Sequence, residues 1–215
     1  MKKLLLLFLM CFLLVQTTIT FASPNVNQLI DAAFFAETPQ EVLLDNNVTV
    51  KIVSFTVSTA DGGTSSDYYY SKQGLFNMFA FHPGIEAVTI SIHNATDKVA
   101  IIKWGESNLT IGNFSGIPFL DGMKFKDAGN PSATPDTLIP PGQTIRKTLN
   151  ISSVRYGTTQ TSSDDDWHIN TEPIRKDRTT TATVTMKMLI GNNPTPNYYS
   201  VTSPAIVIDE SQLKK

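Results

Sequence analysis

The feature that most limits this chain is a two-residue hydrophobic period that recurs almost from end to end. Val88, Ile90 and Ile92 alternate with Thr89, Ser91 and His93. Ala182, Val184, Met186, Met188 and Ile190 alternate with Thr183, Thr185, Lys187 and Leu189. Only an extended strand places every second side chain on one face, so such runs specify half-buried β-strands. Turn signals separate them at Asp45-Asn46-Asn47, Asp61-Gly62-Gly63, Asn94–Lys98, Pro140-Pro141-Gly142 and Asn192-Asn193-Pro194. No stretch between strands is long enough for crossover helices, which excludes a parallel α/β sheet. The expected fold is all-β, an antiparallel two-sheet sandwich of immunoglobulin-like type, with a closed barrel as the alternative.

The period predicts strands over Val42–Leu44, Val48–Ser58, Tyr68–Tyr70, Phe76–Phe81, Val88–Asn94, Val99–Trp104, Asn108–Ile111, Thr144–Ile151, Thr179–Ile190 and Val201–Ile208. In the second of these, Val48, Val50 and Ile52 share a parity that Phe55 and Val57 do not. The slip near Val53-Ser54 predicts a bulge or a change of sheet. Asn94-Ala95-Thr96-Asp97-Lys98 reads as the turn of a hairpin. Residues 112–141 and 156–178 read as loop-rich and polar. Asn25 and Gln28 form a capping box ahead of Val26, Leu29, Ile30, Ala33 and Phe34 at helical spacing, predicting a short N-terminal helix ended by Thr38-Pro39.

The chain opens as an export signal. Met1-Lys2-Lys3 is basic, Leu4–Val15 is apolar, and Thr20-Phe21-Ala22 is a small-x-small pattern, which predicts cleavage between Ala22 and Ser23. The twelve apolar residues fall short of the roughly 20 that span a bilayer, so no transmembrane anchor is expected after processing. The single cysteine, Cys11, leaves with the signal, and the remaining 193 or so residues carry no thiolate nucleophile, disulfide or cysteine metal cluster. The organisation expected is a signal over 1–22, an N-terminal segment over 23–41, one β domain over 42–208, and a charged tail over 209–215. Losing Lys2 and Lys3 leaves 15 basic against 19 acidic residues, a charge near −4 that argues against a nucleic-acid partner.

Catalytic signatures are missing. Among His82, His93 and His168 none belongs to a zinc-ligand spacing, and no Gly-x-Ser-x-Gly elbow is present. No catalytic residue, metal or cofactor is therefore assigned. Asp164-Asp165-Asp166 crowds carboxylates without the spacing of a calcium loop and reads as a solvated loop. Trp104 follows apolar Ile101-Ile102 and reads as packing. Trp167 and His168 lie in a polar stretch and are the candidate binding residues, as an aromatic platform for sugar rings. Asn47, Asn94, Asn108, Asn113 and Asn150 head Asn-x-Ser/Thr triplets, which a chain this rich in Asn, Ser and Thr generates by chance.

Val88–Asn94, Lys98–Trp104 with Ser107, Gly122-Met123-Lys124-Phe125, Ile139–Gly142 and Trp167 follow one another in a recognisable order. Over about residues 86–175 the chain resembles a group of uncharacterised bacterial exported proteins and lipoproteins with an immunoglobulin-like β-sandwich. Many of those carry a lipoprotein cysteine after the signal, which this chain lacks. The resemblance implies a fold and a compartment, periplasmic or extracellular, without an activity. The function expected is an exported, non-enzymatic sandwich that binds an envelope protein as an interaction module, or alternatively a carbohydrate of the cell wall.

Overall fold

A computed structural model describes residues 32–44, 47–59, 83–158, 165–174, 179–191, 195–209 and 211. Among these the chain is all-β, with antiparallel sheets packed as a sandwich. The strands predicted at Tyr68–Tyr70 and Phe76–Phe81, the signal with Ala22 and Ser23, His82 and the turn at Asn192–Pro194 lie outside the described residues.

Sheet one has the order β2 (Val42–Leu44), β3 (Val48–Thr59), β4 (Pro83–Asn94), β10 (Thr144–Asn150) and β8 (Phe119–Leu120), and β13 (Glu172–Pro173) adds to β4 beyond the end of β10. Sheet two runs β7 (Phe114–Gly116), β6 (Asn108–Ile111), β14 (Ala182–Ile190), β5 (Ala100–Ile102) and β9 (Thr137–Ile139), with β15 (Asn197–Thr202) on the other side of β14. Two small ribbons complete the set, β1 (Ala33–Phe35) with β16 (Ile206–Ile208), and β11 (Val154–Thr158) with β12 (Asp165–Ile169).

The alternation read from sequence is the alternation of burial. Val48, Val50, Ile52, Val88, Ile90 and Ile92 of sheet one meet Ala182, Val184, Met186 and Met188 of sheet two in one core. Each fully buried side chain of that size is worth about 1.5–3 kcal/mol against exposure, so the core carries the fold. The ladder slips between Ile52 and Ser54, as the parity change requires, and Phe55 and Val57 then return to the core side. Phe55 meets Phe35 edge-to-face at 4.9 Å between ring centroids.

Three expectations need correction. First, Ala33–Phe35, at the end of the expected helix, is a strand paired with Ile206–Ile208. Phe34 and Phe35 suit a strand as well as a helix, and the rest of the expected helix, residues 25–31, lies outside the described residues. Second, β4 and β5 do not pair as a hairpin. Both edges of β4 are already taken, by β3 and by β10 with β13, and β5 pairs with β14 and β9 in the opposite sheet. Residues 95–99 are therefore an arch between sheets. Third, Val201–Ile208 is two strands in two sheets, because Pro204 has no N–H to continue a ladder. The loop-rich regions also hold order: β7, β8 and β9 lie within 112–141, β12 and β13 lie within 156–178, and β11 runs into that segment from Val154.

The arch at 95–99 stacks on a second one, the Pro140-Pro141-Gly142 turn that returns the chain from β9 to β10. Gly142 takes φ +70°, a backbone region open to glycine, so that its N–H can donate to Asn94 O at 2.7 Å. Asn94 joins both arches. Its backbone N–H donates to Gln143 O, and its side-chain Nδ2 donates to Lys98 O at 2.8 Å and Ile139 O at 2.9 Å. Its Oδ1 accepts from the N–H and hydroxyl of Thr96. The residue is fully buried with every polar group of its amide in use.

Candidate functional site

Pleating turns the polar half of each alternating run outward, so the working surfaces of a sandwich are its two outer faces, its edges and its loops. On sheet two, Leu189, Ile101 and Leu138 are directly opposite one another across β14, β5 and β9. They form one apolar row about 10 Å long at the strand spacing of antiparallel sheets. Leu138 is 62% exposed on the edge strand, and Val99, one residue before β5, is 38% exposed. Tyr198 of β15, 61% exposed, lies opposite Lys187, diagonal to Leu189.

A charged border follows the apolar row. Lys103 Nζ meets Asp136 at 2.5 Å, and Lys187 Nζ meets the Glu106 carboxylate. The hydrogen bond that Lys187 donates to the Glu106 carboxylate holds the Lys187 ammonium above the usual lysine range, against partial desolvation and with further help from the Glu106 charge and the Tyr198 side chain. Because its value is raised, Lys187 stays charged in this pair through neutral pH, and on the alkaline side the pair is lost as pH climbs through the raised value. Beyond the border come hydroxyl rows. Thr185 bonds Ser200 at 2.8 Å, Thr183 bonds Thr202 at 2.9 Å, and Asn108 Nδ2 donates to Thr110 and Ser115. These groups satisfy one another across the strands, which leaves the apolar row as the part of the face with most to gain from being covered.

Local sequence explains how the ladder along this face is kept continuous. The 3-10 turn Trp104–Glu106 separates β5 from β6, and both pair with the same strand, β14. Ser107 bridges the gap: its hydroxyl donates to Lys103 O at 2.7 Å and accepts from Lys187 N–H at 3.1 Å. Trp104 is fully buried and donates its indole N–H to Thr137 Oγ1 at 2.8 Å, so it is core and not a platform. Gly105 lies against the chain at Pro131, where a Cβ would come within 2.2 Å of the carbonyl oxygen.

The residues singled out from sequence fall elsewhere. Trp167 and His168 are in β12, opposite Tyr156 and Arg155 of β11 in the ladder, so this stretch is a strand and not a polar loop. Asp165 and Asp166 belong to the same strand, and Asp164 lies outside the described residues. No group of three or more His, Cys, Asp or Glu able to hold a metal ion occurs among the described residues. His93 lies on the outer face of sheet one, with Nδ1 2.9 Å from Thr144 Oγ1.

The Asn-x-Ser/Thr triplets divide by structure. Asn94 and Asn150 are buried with Nδ2 engaged, the latter to Phe119 O and Asp121. Asn47 and Asn113 are exposed in turns. The apolar row of sheet two was not found from sequence. Its members come from three strands, and only the ladder register brings them together. The available signal was an apolar residue at an outward parity, as at Ile101 and Leu189.

No family model, curated protein or solved structure matches the chain.

Proposed function

We propose that this is an exported, non-enzymatic β-sandwich protein of the bacterial envelope that acts as a protein-interaction module, using the outer face of sheet two. The observation that carries the reading is the apolar row Leu138–Ile101–Leu189, with Val99 and Tyr198 exposed beside it. An apolar centre rimmed by charge-paired and hydroxyl groups has the layout of a protein interface, where the centre is desolvated and the rim sets register. Export rests on the Met1–Ala22 segment, and the non-enzymatic reading on the missing nucleophile and zinc-ligand patterns.

The test is capture of envelope proteins by the tagged protein and by its Leu138→Asp variant. A partner held by the parent and lost from the variant supports the reading. The same capture by both, or none by either, overturns it. A second reading, binding of wall carbohydrate, draws on the register that sets Trp167 opposite Tyr156 in β11 and β12. It predicts that Trp167→Ala abolishes retention on wall polysaccharide and leaves protein capture unchanged.

A further inference from the structure

A strand paired on one side only still carries unpaired backbone N–H and C=O groups on the other, and most open edges of this sandwich are blunted. β1, β2, β7, β8, β9, β13 and β16 are three residues long or shorter. The stretch of β3 beyond its pairing with β2 begins at Lys51, and its ladder with β4 is bulged after Ile52 and after Thr56. The stretch of β10 ahead of β8 holds Arg146 and Lys147, and β11 and β12 carry Arg155, Asp165, Asp166 and His168. Shortness, charge and bulges are the usual means by which an edge is kept from pairing. Among the described residues β15 is the exception. Its six residues, Asn197–Thr202, hold no charge, proline or bulge, and they pair with β14 alone.

The register identifies the open groups. Ser203 N–H donates to Ala182 O at 2.8 Å, so Tyr199 and Val201, of the same parity, also turn their backbone groups toward β14. Tyr198, Ser200 and Thr202 direct theirs to the open side, where no backbone partner meets them among the described residues. All three residues are exposed. The edge is therefore built to accept one more extended strand.

We propose that this strand is β15 of a second copy of the chain, antiparallel, about a two-fold axis at Ser200. That register sets Ser200 against Ser200, and Tyr198 of one copy against Thr202 of the other. Each pair joins two residues whose groups point outward, so every open N–H and C=O of the edge is used. A slip of one residue would set outward groups against inward ones, and a slip of two would lose a pair. The strand meets itself without like charges, and Lys187, opposite Tyr198 in β14, is neutralised by Glu106. Tyr198, 61% exposed, gains a β-branched cross-strand neighbour. A partner of other sequence would meet the same backbone groups, and the charge-free two-fold match singles out the second copy. Pairing consumes the edge in both copies, so the dimer is closed. It extends sheet two sideways and leaves the apolar row open, so the inference stands whether or not that row binds a protein.

The experiment is sedimentation equilibrium of the purified protein over a range of concentration, with circular dichroism to report folding. The parent is a dimer. Ser200→Lys sets two ammonium groups against each other on the axis and raises the dissociation constant by about ten-fold or more. Ser200→Pro has the same effect, because it removes the outward N–H and no bond to β14, a place where an edge strand tolerates proline. Ser115→Lys, the same gain of charge at an exposed position of β7, leaves the dissociation constant unchanged. A monomeric parent, a dimer that survives both Ser200 variants, or equal loss in Ser115→Lys overturns the assignment.

Discussion

Asn94 is the residue on which the topology turns. It ends β4, and its amide spans two arches that carry the chain between sheets in opposite directions. Asn94→Ala would strip Lys98 O and Ile139 O of a buried donor and Thr96 of its acceptor. With each lost partner costing about 1–3 kcal/mol, the expected loss of stability is about 3 kcal/mol, read as a fall in the urea midpoint with an unchanged slope. Asn94→Asp should be worse at neutral pH, because it sets a buried carboxylate against two carbonyl oxygens. Thr180 gives the opposite sign. Its hydroxyl is buried and has no hydrogen-bond partner among the described residues. Thr180→Val keeps the shape and removes the unsatisfied group, so stability should rise by about 1 kcal/mol in the same denaturation experiment.

At the scale of elements, the most informative one is the interrupted strand from Ala100 to Ile111. Ser107 completes a ladder that the 3-10 turn would otherwise break, and Ser107→Ala leaves Lys187 N–H and Lys103 O without it. A loss of about 2 kcal/mol is expected, with faster amide exchange confined to Lys187 and its neighbours in β14. The same region shows what was legible beforehand. Strand parity, the bulge at Val53 and the burial of Trp104 were all readable, because they depend on residues close in sequence. The arch at Asn94 was misread as a hairpin because turn chemistry does not say which sheet the next strand joins. That choice depends on β10 and β13 occupying the second edge of β4, over fifty residues later for β10. The candidate binding surfaces were illegible for a related reason. Leu138, Ile101 and Leu189 are a row only after β9, β5 and β14 are in register, and Tyr198, Ser200 and Thr202 are an open edge only after β14 takes the other side of β15.

The whole molecule is a sandwich with one shared core and two outer faces of unlike chemistry. Sheet two presents an apolar row bordered by ion pairs, and sheet one presents Lys51 and Arg146 among hydroxyls, with Glu41 opposite Lys51 in the extended register of β2 and β3. Burial of the inward residues fixes which side chains are left outward, and the proposed recognition depends on those. The proposed protein-binding role is tested most directly by placing a photo-crosslinking amino acid at Leu138 in cells that make the protein, with the exposed turn residue Asn113 as the control position. The account predicts one discrete adduct with a second protein from position 138 and none from position 113. No adduct from position 138, or the same adducts from both positions, would contradict it.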